Sequence, residues 1–308
     1  MSDSDEDVML LVVALQEESN DTATWHRRQR SRRATVLKQP GTWVMLYRFN
    51  EAQIDMLTSL LHLASHFHTT SRYDVTGKEA LCMLLRPMAY PNRLGELECA
   101  FSRKRSAISQ ITNMVLTHIY DHFKHLLRFD QHGYDDHKLR EFAAKARPQI
   151  PLRGDPNGTT SHLHGPIPGV RHDAYLLSVS SRYDLLQGDG KQFILYGDPA
   201  YGRQDYILAP FKGAILTSEQ EEFNSSMREV RVCVEWEFGR LLRYWAFCDF
   251  RKNQKLNLQA TGKQYAVIAL FSNVHGCMHG NQTATFFGLK PPSVEEYLHD
   301  EHARQQNA

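Results

Sequence analysis

Apolar and polar positions alternate with a helical period through most of the first half of the chain. In residues 50–67, NEAQIDMLTSLLHLASHF, Ile54, Leu57, Leu60, Leu61 and Leu63 recur at three- and four-residue steps. Asn50 precedes them as a helix cap, because its side-chain oxygen can accept from an unpaired backbone N–H of the first turn. Residues 76–89 open with Thr76 and Glu79 three positions on, the spacing of a reciprocal capping box. Further on, Leu94, Leu97 and Phe101 mark a short helix, and residues 102–105 (Ser-Arg-Lys-Arg) make a tight basic turn. Ser106 is placed to cap a second helix with Ile108, Ile111, Val115 and Ile119 on one face. Two short helices joined this way predict a helix-turn-helix, with an ordinary helical hairpin as the alternative.

The pattern changes after residue 148. Residues 147–169 are rich in Pro and Gly and predict turns with short strands. Residues 171–177 begin a helix with Asp173 in its first turn, and 192–197 form an apolar strand that ends at Asp198. Residues 217–248 predict a long helix, and residues 261–277 a last one capped by Thr261. Stepping about 100° per residue along the long helix places Val230, Leu241, Val234, Trp245 and Phe238 within about 80° of arc. This is the expected buried stripe. Glu235 and Glu237 fall at about 140° and about −20° on the same wheel, so periodicity does not choose between them.

Charge divides the chain further. Residues 1–40 are a charged arm, acidic over 1–22 and carrying five arginines in HRRQRSRR at 26–33. A solvated arm, a nuclear-import signal and a phosphate-binding segment all fit that run. The organisation expected is thus an arm (1–40), a helical domain (41–147), a mixed domain (148–300) and a tail (301–308). A net charge of +1 excludes a polycation, and 42% hydrophobic with 23% charged residues fits a globular chain. The apolar runs are too short to span a bilayer, and the run at 9–15 follows an acidic leader where a secretory signal needs a basic one. Five scattered cysteines without a CxxC pair predict free thiols in a reducing compartment. His275, Cys277 and His279 alternate, but three residues in one short stretch make a poor tetrahedral zinc cage.

Two places carry chemistry. Asp198, just past the end of an apolar strand, stands where open α/β sheets place ligands; the alternative is a turn cap before Pro199. Glu235 borders the buried stripe, where it can face a cleft or pair with Arg231 four residues back. In the helical domain, Arg103, Lys104 and Arg105 sit beside a helix N-terminus, where DNA phosphates are favoured.

The blocks GPIPGVRHDAYLL, LYGDPAYGRQDYILAPF and EFNSSMREVRVCVEWEFGRL, with a helix ending before GNQTATFFG, resemble the Harbinger-type transposases of the DDE superfamily. The likeness covers about 156–300, with a weaker one to that family's helix-turn-helix region over 50–130. It implies a ribonuclease-H-like α/β fold, a mixed sheet flanked by helices, and three carboxylates holding two divalent metals, magnesium by preference, for hydrolysis of DNA. It also implies a nuclear protein that works on DNA, often with a separate DNA-binding partner protein. The second and third carboxylates of the family fall on Asp198 and Glu235, and Gly239 lies one turn beyond Glu235. The first, in an Asp-Gly-Thr block, has no counterpart. Asp155 stands only 14 positions before Gly169, and the intervening strands need roughly 20 residues or more. Asp155 matches instead the approach to the third strand, with residues 156–158 as its turn. Asp173 resembles a position outside the catalytic three. The first strand and most of the second are therefore expected to be missing between Arg147 and Gly154. The reading is a degenerate, inactive relative of the nucleases. Its alternatives are an active magnesium-dependent nuclease, a DNA-binding module alone, and a longer form of the chain that carries the missing strands.

Overall fold

The computed structural model describes residues 41–70, 73–127, 157–161, 163, 175, 195–197, 207–249 and 260–298. The chain divides into two compact units, one of residues 1–118 with 245–254, the other of 119–244 with 255–308.

Among its described residues the first unit is helical with one hairpin. Its elements are α1 (Thr42–Tyr47), α2 (Glu51–Leu60), β1 (His66–His68), β2 (Asp74–Thr76), α3 (Gly77–Ala89), α4 (Leu94–Phe101) and α5 (Arg105–Phe123), the last continuing past His118 into the second unit. Asn50 caps α2, and Gln53 returns the bond, so two orphan N–H groups are satisfied at once. Thr76 caps α3 through the Glu79 N–H, the forward half of the expected capping box. Glu79 also reaches Arg103 at 3.4 Å, tying the basic turn back to the start of α3. Helix α5 starts at Arg105, two residues earlier than a Ser106 cap would place it, so Ser106 lies inside the first turn and does not cap it. The apolar face of α5 is as periodicity predicts: Ile108, Ile111, Val115 and Ile119 are fully buried. The antiparallel hairpin pairs Phe67 with Val75, both buried, and Thr70 near its tip donates to Gln110 of α5 at 3.2 Å.

Trp245 belongs to this unit although it follows a helix of the other one. It is fully buried, with its ring 6.3 Å from Phe49, and the 3-10 turn Ala246–Asp249 packs on α3.

The second unit contains β3 (Leu195–Tyr196), β4 (Ile207–Leu208), α6 (Ser218–Tyr244), α7 (Thr261–His279), α8 (Gln282–Phe287) and α9 (Val294–Tyr297). The two strands pair in parallel, and the Gly197 N–H extends the ladder to Leu208 O at 2.8 Å. Among its described residues the second unit is mostly helical, with this short parallel pair of strands. Helix α6 begins with Thr217 and Gln220 bonded reciprocally. Residues 266–276 of α7 are buried without interruption, the mark of a central helix covered on every side. Thr261 begins α7 and does not cap it: the cap position is Ala260, without a side-chain bond. Two short helices follow where none was expected, capped by Asn281 and Ser293. A small core of Met227, Cys233 and Phe287, joined by Leu208, Phe223, Trp236 and Leu289, connects β4, α6 and α8.

All five cysteines are free. Burial pushes the thiols of Cys248 and Cys277 up to about 12. At pH 8 only about one in 10⁴ of such thiols is a thiolate, the reactive form. Iodoacetamide at pH 8 is expected to leave both unmodified in the folded chain and to label them after denaturation, as peptide mass mapping would show. None of the described helices is long and apolar enough to cross a membrane.

Candidate functional site

Helix α6 carries the carboxylate singled out by resemblance, and its covered face is turned away from the one the wheel predicts, leaving Val234 and Leu241 of the expected stripe half-buried and Phe238 exposed. Between residues 233 and 244 the side that meets α7 and α8 bears Cys233, Glu237, Arg240 and Tyr244. Glu237 pairs with Arg240 and accepts from Thr283 of α8 at 3.1 Å, while the Tyr244 ring lies 4.2 Å from that of His275 on α7. The opposite side bears Glu235, Phe238 and Leu242, all exposed, with Phe238 at 64%. Phe238 is therefore not part of a buried stripe, and Trp245 leaves the helix altogether for the first unit. An apolar stripe is buried only if a neighbour lies against it. Here α7 and α8 cover the other face: Thr283 of α8 bonds Glu237, and Arg240 bonds Glu237 and Gly158 O, while its Nε and Nη1 are buried without a partner among the described residues.

Glu235 thus stands exposed on the outer face of α6, separated from Glu237 by nearly half a turn of helix. Asp198 lies outside the described residues, which stop at the buried Gly197 at the end of β3. Asp155, Asp173, Pro199 and the side chain of Arg231 fall outside them too. Among the described residues no three His, Cys, Asp or Glu side chains come together in a way that can hold a metal ion. The rings of His275 and His279 lie 4.5 Å apart on α7, tilted by 42° to each other.

What the structure does build is a polar clamp on residues 157–160. The Asn157 side chain accepts from the Thr159 N–H at 3.1 Å and its hydroxyl at 2.8 Å, closing the expected turn. Asn281, whose Oδ1 caps α8, donates to Asn157 O at 2.8 Å, and Arg240 of α6 donates to Gly158 O at 2.9 Å. Asn273 of α7, fully buried, accepts from Thr160 N–H at 2.8 Å and donates to Thr160 O at 3.0 Å, as a neighbouring strand would. Its amide also donates to the Tyr297 hydroxyl of α9 at 2.8 Å. The sequence shows these residues only as scattered amides; nothing in their spacing links position 158 to 240, 273 and 281. Gly158 is held at φ +73°, and a side chain there would run into Asn281. Gly158→Ala is expected to destabilise the second unit by about 3 kcal/mol, from backbone strain plus overpacking. Thermal denaturation checks this; a melting curve equal to that of the parent chain would sink the clamp.

The first unit offers a second candidate surface. Of the three cations in the turn between α4 and α5, Arg103 meets Glu79, Arg105 meets Glu98 at 2.9 Å, and Lys104 is exposed without a side-chain bond. Behind them, Ser106, Gln110, Asn113 and Thr117 line up at helical spacing on the solvent side of α5, with Ser109 beside them. The stripe is uncharged over three turns, a feature sequence reading passed over because it looked only for the apolar face.

Residues 153–273 match a family model described as DDE superfamily endonuclease. The match takes in residues 157–160, Arg240 and Asn273 of the clamp but not Asn281 or Tyr297, includes all of α6, and relates this part of the chain to the transposase nucleases of that superfamily. No curated protein and no solved structure matches.

Proposed function

We propose that this chain is a Harbinger-type, transposase-derived nuclear protein that binds DNA through α4, the basic turn and α5, and does not cut it. The observation that carries the proposal is the uncharged hydrogen-bonding stripe of α5 behind an exposed lysine. A solvated helix face ordinarily carries charge. Asn, Gln, Ser and Thr are instead the side chains that read base edges in the major groove, with cations positioned on phosphates. In this reading α5 is the recognition helix of a helix-turn-helix.

The donor set does not fit a two-metal centre. Such a centre needs several carboxylates converging on one point. By resemblance this chain supplies Asp198 and Glu235, and the described neighbours of Glu235 on its face are Phe238, Gly239 and Leu242, none of them a ligand. The other carboxylate of that stretch, Glu237, is engaged by Arg240 and Thr283. No hydrolytic step follows from these residues, whether magnesium or another divalent ion is supplied.

Two measurements test the proposal. Lys104→Ala is expected to weaken binding equally for all DNA sequences and to reduce the slope of log K against log salt by about 1. Asn113→Ala is expected to cost about 1–3 kcal/mol on the preferred sequence and little on others. Binding that ignores both substitutions rules out α5. Supercoiled DNA with magnesium is expected to remain uncut; cleavage abolished by Asp198→Ala or Glu235→Ala would overturn the inactive reading.

A further inference from the structure

Helix α6 presents to solvent the kind of face that helices ordinarily bury. Phe238 and Leu242 stand one turn apart and exposed, and Gly239 between them is exposed with open space where a side chain would be. Residues three and four apart share a face, so these positions form one short apolar ridge with a notch in it. The ridge is flanked by opposite charges, Glu235 four residues before Gly239 and Arg243 four residues after, both exposed.

We infer that this face is a self-association surface, on which α6 of a second copy of the chain lies antiparallel across a two-fold axis at Gly239. The charge order selects this occupant. In an antiparallel pair centred on residue 239, the position four before the centre on one helix meets the position four after it on the other. Glu235 then meets Arg243 twice, once at each end, as a two-fold interface requires. A parallel pair would set like charges against each other. The glycine at the crossing lets the two backbones approach, and Phe238 and Leu242 of each copy fill the space beside it. The inference rests on the incomplete carboxylate site proposed above, because a complete one would turn Glu235 toward metal.

The test uses the full chain in sedimentation equilibrium at 0.15 M salt. A dimer in the micromolar range is expected. Phe238→Glu is expected to weaken it at least 100-fold, on the order of a central interface anchor, with an unchanged circular dichroism spectrum because Phe238 is exposed. Glu235→Arg and Arg243→Glu are each expected to weaken it about tenfold, on the order of an interfacial ion pair, and the two together to restore it. Gly239→Cys is expected to give reducible disulfide-linked dimers on oxidation that the parent chain does not form. A parent chain that stays monomeric at about 100 μM, far above the affinity of a specific pair, overturns the proposal. So does a dimer indifferent to Phe238→Glu, or a double reversal that fails to restore association. A monomer that dimerises only after removal of residues 1–40 overturns it as well, and assigns the ridge to the apolar run at 9–15. DNA binding and cleavage by the same variants report separately on the proposed function, so a failed dimer and a failed function are told apart.

Discussion

Asn273→Leu is expected to lower the melting temperature of the second unit by roughly 6–12 °C, the shift that about 3 kcal/mol produces in a unit of this size. Leucine has nearly the shape of asparagine, so packing changes little. What is lost is the set of bonds to Thr160 N–H, Thr160 O and the Tyr297 hydroxyl. Each group left without a partner costs about 1–3 kcal/mol when buried, and less here where Thr160 and Tyr297 are only half-buried. Tyr297→Phe removes the third bond alone and is expected to cost about 1 kcal/mol. Calorimetry on both variants separates the clamp from a general loss of packing. If Asn273→Leu melts within a degree or two of the parent chain, the clamp is not what holds residues 157–160.

Trp245→Ala is expected to destabilise the first unit by about 3–5 kcal/mol, the usual cost of emptying a fully buried tryptophan site. Trp245 is fully buried, and its neighbour Phe49 lies far from it in the chain. Hydrogen exchange on α3 should accelerate most, since the turn after Trp245 packs there. Unchanged protection of α3 would show that residues 245–249 do not complete the helical unit. The total stability of a domain is commonly about 5–15 kcal/mol, so this single side chain is a substantial part of it.

These two residues show where sequence reading stops. Asn273 lies in a helix, and helical periodicity says only that it shares a face with its neighbours three and four residues away. That its amide meets Thr160 depends on a contact 113 residues distant along the chain. Trp245 reads as the end of the stripe on α6, because the wheel cannot see that the helix stops at Tyr244. Glu235 and Glu237 were equivalent by periodicity. Resemblance chose Glu235, and the structure explains what Glu237 does instead, since Arg240 and Thr283 hold it.

By itself the sequence determined the local elements: the Asn50 and Thr76 caps, the short α4, the basic turn, the apolar face of α5 and the long α6. Those depend on bonds and side-chain spacings within a few residues, which are written in order along the chain. Its blocks also carried the resemblance to the DDE superfamily and the expectation that the first carboxylate is missing. Only the tertiary structure decided which face of α6 is covered, where Trp245 goes, and that three helices close on the turn at Gly158. An amphipathic helix offers a face, but burial is a property of two surfaces, and the second one comes from elsewhere in the fold.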